Sequence, residues 1–363
     1  MAGRNDYRSA NGRRNGSPKR RKRLRVAVLG LGYWGPNLVR NLHELPEAEV
    51  VCFCDLRREA LEAISRRYPA VRRTTRFKEV LKDPRIDAVA IATPVSSHYE
   101  LARQALEAGK HAFVEKPLAA SSEEAVELIE LAEDRDLVLM PGHTFLYSPP
   151  VNMIRDLIVS GDLGEIYFIS TSRVNLGLHQ PDVSVVWDLG PHDFSILRYW
   201  LDETPLRVSA VSRSCVMPGT PDVAFINLEF PSATLAHVEL SWLAPSKLRR
   251  TTIVGSEKMV VYDDTSTESV RIFDSGVSLP NPDSFGEFQL SYRTGNIVSP
   301  RLDPTEPLEL QMSDFCAAVT NGVEPRSSAN LGLDVVRIIE AVDQSLLEES
   351  RPVDLCSLAV FEP

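Results

Sequence analysis

The sequence predicts an α/β protein with two unlike halves. An N-terminal doubly wound parallel sheet precedes an α+β domain with a large, mostly antiparallel open sheet. Three observations carry this. Residues 24–142 alternate apolar runs with amphipathic helical stretches, the pattern of a parallel sheet covered on both faces. Beyond about residue 142, strand-like runs follow one another directly. The length of 363 residues exceeds one domain at ~150 residues each. The boundaries read as a disordered basic arm over 1–23, a first domain over 24–142 and a second over 143–363.

In the first domain, strands are expected at LRVAVLG (24–30), VVCFC (50–54), AVAIAT (88–93), HAFVE (111–115) and LVLM (137–140). Over 121–134, Ala125, Leu128, Ile129 and Ala132 recur at helical spacing. Ser121-Ser122 supply the N-cap, and Glu123 and Glu124 suit the positive helix start. In the second domain, helices are expected near 149–160 and from Pro191, with proline in the first turn. Strands are expected at IYFISTSRV, RVSAVSRS, VAFINLEF, TLAHVELSWL, TTIVGS and KMVVYDD. The stretch 275–306, rich in Pro, Ser and Gly, reads as a long surface loop. Helices near 307–321 and 329–348 close the chain, and the last can pack back on the first domain.

Charge is unevenly spread. Residues 1–25 hold ten Lys/Arg against Asp6 alone, while the other 338 residues hold 30 basic and 49 acidic side chains. The arm has little to bury, so it reads as a disordered, solubilising tail. Arg20-Arg21 before an apolar run mimics a twin-arginine signal, but that run breaks at Pro36, Asn37 and Arg40 without a cleavage site. No run of ~18 apolar residues exists to span a membrane. The five cysteines lack CxxC or zinc spacing and read as reduced thiols of a cytoplasmic protein.

The residues that carry chemistry cluster in three places. Gly30-Leu31-Gly32-Tyr33-Trp34-Gly35 is G-x-G-x-x-G between a strand and a helix, the context that gives this pattern its meaning. Gly30 permits the turn, Gly32 lets backbone approach a pyrophosphate, and Gly35 lets helix and strand close up. Asp55 ends the second strand, where an acid accepts the ribose hydroxyls of NAD and repels the 2′-phosphate of NADP. Arg57 and Arg58 follow and leave NADP open, because arginine can hold that phosphate. Next, Glu115-Lys116-Pro117 ends a buried strand, which places Lys116 on the ligand side of the sheet. Finally, Asp188 and His192 are four apart and share a face if both are helical. Thr93, Pro94 and His98 follow the AVAIAT strand, and His143 falls at the domain junction.

The segments VAVLGLGYWG, ATPVSSHYE, AGKHAFVEKPLA and WDLGPHDFSIL, with Cys54-Asp55, resemble the glucose–fructose oxidoreductase / inositol dehydrogenase (Gfo/Idh/MocA) family over about residues 24–350. The resemblance implies a Rossmann domain and a homo-oligomer, dimer or tetramer, formed through the open sheet. It implies that Lys116, Asp188 and His192 face nicotinamide and sugar, with no metal. Gly30, Gly32, Tyr33, Trp34, Gly35, Asp55, Thr93, Pro94, His98, Glu115 and Lys116 then hold the cofactor. GHTFLYSPP and AHVELSWLAPSKLR look most like the branch acting on nucleotide-linked sugars. That implies oxidation of the C3 hydroxyl of a UDP-linked hexose or hexuronate. Tyr147, Arg173, Asn175 and Gln180, with Lys116 and His192, are the candidate substrate contacts.

A general base works best with a pKa near ambient pH. Histidine starts at ~6.5 and lysine at ~10.4. Intrinsic chemistry therefore favours His192 as base, oriented by Asp188, with Lys116 stabilising the alkoxide. Lys116 can take the base role if burial and an oxidised nicotinamide depress it. The other readings are an inositol or free-sugar dehydrogenase, an NADPH-dependent ketosugar reductase, and a nucleotide-sensing DNA-binding regulator that uses the arm.

Overall fold

The structure is a computed structural model that describes residues 23–177, 179, 183–278 and 291–355. The basic arm up to residue 22 and Gln180 lie outside the described residues.

The first half runs β1 (Leu24–Leu29), α1 (Gly35–Glu44), β2 (Ala48–Cys54), α2 (Arg58–Arg67), β3 (Arg72–Thr74), α3 (Phe77–Leu81), β4 (Ala88–Ile91), α4 (His98–Glu107), β5 (His111–Val114), α5 (Ser122–Asp134) and β6 (Leu139–Pro141). The six strands are parallel in the order β3-β2-β1-β4-β5-β6. All four residues of β4 are buried, as a strand covered on both faces requires. Strand order reverses between β1 and β4, and the crevice beyond their carboxyl ends is where such sheets bind ligands. As expected, Ser121 caps α5, its hydroxyl accepting from Glu124 N–H at 3.2 Å.

The second half runs α6 (Pro149–Val159), β7 (Ile166–Leu176), α7 (Val185–Leu201), β8 (Arg207–Arg213), β9 (Val223–Glu229), β10 (Leu235–Ser241), β11 (Leu243–Gly255), β12 (Met259–Asp263), β13 (Val270–Ser278), β14 (Ser291–Val298), α8 (Pro307–Asn321), α9 (Ala329–Leu347) and β15 (Val353–Asp354). Nine strands form one sheet in the order β14-β13-β12-β11-β7-β10-β9-β8-β15. Its pairs are antiparallel except β7 with β10. Alternation along β9 decides the faces: Ala224, Ile226 and Leu228 are buried, Phe225, Asn227 and Glu229 exposed.

Two expectations need correction. The segment 275–306 is not one long loop, because β13 and β14 pair across it as a hairpin. Ser, Thr and Gly weakened the strand pattern there, while pairing to β12 supplies the missing support. Likewise α7 begins at Val185, so Pro191 lies inside the helix rather than in its first turn. The Ser184 hydroxyl caps it by accepting from Trp187 N–H at 3.4 Å. A proline removes one helical hydrogen bond, and packing of α7 between sheet and α9 offsets that loss.

The last helices return to the first sheet. Gly332 of α9 sits against Pro141 and Leu118, where a Cβ would approach Pro141 Cγ to 2.9 Å. Ser122 N–H donates to Glu340 at 2.7 Å, and Arg40 of α1 pairs with Glu306 at 2.6 Å. Valine at 332 has nowhere to go without shifting the β6 end. Gly332→Val should therefore lower stability by about 1–3 kcal/mol in urea or thermal unfolding. An unchanged midpoint would show that α9 and the first sheet are not tightly coupled.

Candidate active site

The glycine loop is built as its spacing predicts. Gly30 has φ +82°, and any Cβ there would meet the Ala92 carbonyl at 2.6 Å. A Cβ on Gly35 would lie 2.0 Å from Gly30 O, so α1 reaches this close only with glycine. Gly32 has open space in front of it. The loop is also tied to the second strand: Leu31 N–H donates to Asp55 Oδ2 at 2.6 Å, and Gly30 N–H to Cys54 O at 2.9 Å. Arg57 folds back onto Asp55 through its backbone N–H at 2.8 Å and its guanidinium at 3.1–3.2 Å. Burial pushes the Asp55 carboxyl up, but the Arg57 and Leu31 donors outweigh it and hold it below its usual range.

A cavity of about 690 Å³ lies over these residues, lined by Gly30, Gly32, Asp55, Arg57, Thr93 and Pro94. An open Gly32, α1 pointing its N-terminus at the cleft and an ionised acid at the second strand suit a dinucleotide. Tyr33 is largely exposed and Trp34 partly so, edge to face with each other at 5.4 Å at the loop's rim.

His98 is a correction. It does not present its ring to the cleft, because both nitrogens face backbone carbonyls, Pro117 O and Thr93 O, each at 2.8 Å. It thereby ties the turn after β4 to the turn that carries Lys116.

Lys116 leaves β5 and crosses to α7. Its Nζ donates to the main-chain carbonyl of Asp188 at 2.7 Å and lies 3.5 Å from Asp188 Oδ1. Asp188 and His192 both lie in α7, as their spacing allowed. The expectation that Asp188 orients His192 is nonetheless wrong: its carboxylate serves Lys116 and the Trp242 indole N–H, at 3.1 Å. His192 packs edge-on against Phe145 at 4.9 Å, and its buried Nδ1 has no partner. Burial first, then Lys116, Arg173 and Arg249, push its imidazole well below the usual histidine range. His192 is therefore neutral at ordinary pH.

Two further groups crowd this point. His143 is fully buried with both ring nitrogens unpartnered, and burial and Lys116 push it down to about 3. Glu115 is buried, and its Oε1 has no partner. Burial pushes its carboxyl up to about 7, against the pull of Lys116. Buried polar atoms without partners are uncommon in folded proteins, and a cluster of them marks a place that a polar ligand completes.

The expected substrate contacts fare unevenly. Tyr147 is a correction: its buried hydroxyl donates to Asp314 at 2.7 Å and accepts from Ser327 N–H at 3.1 Å, so it serves the core. Arg173 is another. It is 5% exposed and binds Asp193 through Nε at 2.5 Å, joining β7 to α7. Its guanidinium lies 4.7 Å from the Phe145 ring, behind His192. Asn175 is half-buried on β7. Trp242, Phe145 and Arg249 were missed, because nothing in their spacing separates them from ordinary sheet and core residues.

Glu115 gives a signed test. Its carboxyl rises from about 4.5 unfolded to about 7 folded. Its neutral form is favoured in the fold, so that contribution is whole below about 4.5 and is lost as pH rises through about 7. Glu115→Gln should match the wild type in thermal stability near pH 4.5 and exceed it above pH 7. A constant difference across pH would show that Glu115 ionises freely.

Comparison with known proteins agrees with this geometry. Residues 24–143 match the model of the GFO/IDH/MocA oxidoreductase family, NAD-binding Rossmann fold, and residues 151–261 match the GFO/IDH/MocA C-terminal domain. The chain is 29% identical over 316 residues to scyllo-inositol 2-dehydrogenase (NAD(+)) of Bacillus subtilis, covering 83% of this chain and 88% of that one. It superposes on GenD2 from gentamicin A biosynthesis, solved in complex with NAD, with a TM-score of 0.77 at 23% identity, covering 92% and 96% of the two chains. UDP-N-acetylglucosamine 3-dehydrogenase GnnA of Acidithiobacillus ferrooxidans superposes with a TM-score of 0.74 at 23% identity, covering 89% and 97%. With both of its parts matched in order, this chain is a member of the GFO/IDH/MocA oxidoreductase family and carries that family's NAD-binding domain.

Proposed function

We propose that the protein is an NAD-dependent dehydrogenase that oxidises a secondary hydroxyl of a sugar, the C3 hydroxyl of a UDP-linked hexose or hexuronate. The observation that carries the alcohol-oxidising reading is the placement of Lys116, seated on Asp188 and set among unpartnered His192, His143 and Glu115. Removing hydride from carbon leaves a proton to be taken from oxygen and negative charge to be held meanwhile. Bound NAD supplies the hydride acceptor. Lys116 Nζ donates to the reacting oxygen and stabilises the developing charge. His192 starts neutral, the state a base must begin in, and takes the hydroxyl proton, although the burial and cations that keep it neutral also weaken it as a base. Asp55 receives the adenosine ribose, and the Gly32 opening admits the pyrophosphate.

The nucleotide-sugar assignment draws support from the GHTFLYSPP and AHVELSWLAPSKLR segments and from the likeness in fold to a UDP-N-acetylglucosamine 3-dehydrogenase. The 29% identity to an inositol dehydrogenase favours a second reading, a free polyol as substrate. The free thiols among the described cysteines are in keeping with a reducing, cytoplasmic setting. Among the described residues no helix is long and apolar enough to cross a membrane.

A panel of UDP-hexoses, UDP-hexuronates, inositols and free sugars, assayed for reduction of NAD and of NADP, tests the proposal. Turnover should appear with a UDP-sugar and NAD. Lys116→Met and His192→Asn should each lower kcat by about 100-fold or more while NAD binding, read by fluorescence, stays within about twofold. Wild-type turnover in either variant, or turnover with inositols alone, would reject the assignment concerned.

The exposed sheet face supports a homo-oligomer. Tyr167, Phe168, Val211, Phe225 and Leu235 are 40–56% exposed there, a band of apolar side chains that water disfavours. Charging it with Phe225→Glu and Leu235→Glu should reduce the sedimentation mass to the monomer's 40.4 kDa. A wild-type chain that already sediments as a monomer would remove this reading.

A further inference from the structure

Trp242 occupies the single position between β10 and β11 and is 1% exposed. Its indole N–H donates to Asp188 Oδ2 at 3.1 Å. The other oxygen of that carboxylate and the Asp188 carbonyl face Lys116 Nζ, at 3.5 and 2.7 Å. An indole nitrogen and an ammonium can only donate, so this carboxylate meets a donor on each oxygen. Among the described residues, Trp242 and Lys116 are the hydrogen-bond partners of its side chain.

These two donors differ in freedom. Lysine ends a flexible four-carbon stem. The indole is held on several sides. Trp242 N–H donates to Asp222 O at 2.9 Å, and Trp242 O accepts from Gly177 N–H at 2.9 Å. The His179 ring meets it edge-on at 5.2 Å. Gly177 lies so close that a Cβ there would come within 2.5 Å of Trp242 Cδ1. The rigid donor sets the carboxylate, and the carboxylate sets the mobile cation.

We propose that Trp242 is a positioning residue for Lys116, acting through Asp188. The proposal rests on the reading that Lys116 works on the reacting oxygen. Trp242 donates to Asp188 rather than contacting Lys116, so its effect on the ammonium passes through that carboxylate. Its indole N–H holds the Asp188 side chain in one orientation, so the ammonium arrives at one place rather than several. Small misplacements of a catalytic group cost large factors in rate, which gives a buried tryptophan one residue removed from Lys116 a measurable effect.

Two variants of the full-length chain test this. Trp242→Phe keeps most of the volume and deletes the N–H. Gly177→Ala keeps the N–H and displaces the ring that bears it, so it stands in if the first variant fails to fold. Trace acetylation followed by peptide mass spectrometry reads Lys116 directly, with the other lysines as internal references and no substrate needed. Both variants should change the Lys116 labelling rate several-fold and leave the exposed Lys247 unchanged. On the substrate found by the panel, kcat should fall about tenfold with KM and NAD affinity within about twofold. Adding Trp242→Phe to Asp188→Ala should cost little beyond Asp188→Ala alone, because the indole then has no side-chain acceptor to hold. Unchanged Lys116 labelling in both variants, or a full additive loss on the Asp188→Ala background, would overturn the proposal. If no sugar or polyol turns over yet Lys116 labelling shifts, the function assigned above falls and the positioning role stands.

Discussion

Lys116 carries a positive charge to the end of a buried strand, where its side chain is only 12% exposed. A cation so placed must find acceptors, because leaving it unpaired in low dielectric costs far more than any contact nearby returns. Among the described residues, the hydrogen bonds of Lys116 Nζ do not go to the first half of the chain. The acceptors come from α7, whose Asp188 supplies both a carbonyl and a carboxylate. This ion pair joins the end of β5 to α7, beside the Arg40–Glu306 and Ser122–Glu340 contacts that also tie the second half to the first. It brings His192 to the same point, one helical turn along α7.

The rest of the site is arranged to keep that point dry and exact in shape. His98 gathers the turns after β4 and β5 by contacting one carbonyl from each. The Arg173–Asp193 pair fastens α7 to β7 from inside, with both partners nearly buried. Breaking one side of such a pair is costly, since the other charge is then left without a counterion. Around this frame stand Glu115, His143 and His192, each with a buried polar atom that the protein leaves unpaired. Structural residues such as Tyr147 are fully satisfied by contrast. Arg173 Nη1 is buried and unpaired as well, so the cluster of open polar atoms around Lys116 extends to the Arg173–Asp193 pair.

Much of this was legible in the sequence where the physics is local. The glycine loop follows from the need for positive φ at Gly30 and for close contact at Gly35, and both appear in the structure. Ser121 with Glu124 announced the start of α5. Local signals failed where distant contacts decided. Pro191 reads as a helix start, yet capping by Ser184 and packing on the sheet carry α7 through it. The hairpin of β13 and β14 is hidden in a Ser- and Gly-rich stretch, because strand support comes from the neighbouring strand.

The sequence by itself determined the doubly wound first half, the dinucleotide loop with Asp55, and the residue types Lys116, Asp188 and His192. Short-range sterics and periodicity suffice for these. Only the tertiary structure decided what each polar group faces. It gave Asp188 to Lys116 and Trp242 instead of His192, put His98 on two backbone carbonyls, and withdrew Tyr147 and Arg173 into supporting pairs. The reason is that a hydrogen bond depends on ångström distances between residues tens of positions apart. Such distances exist only once the sheets have closed around them.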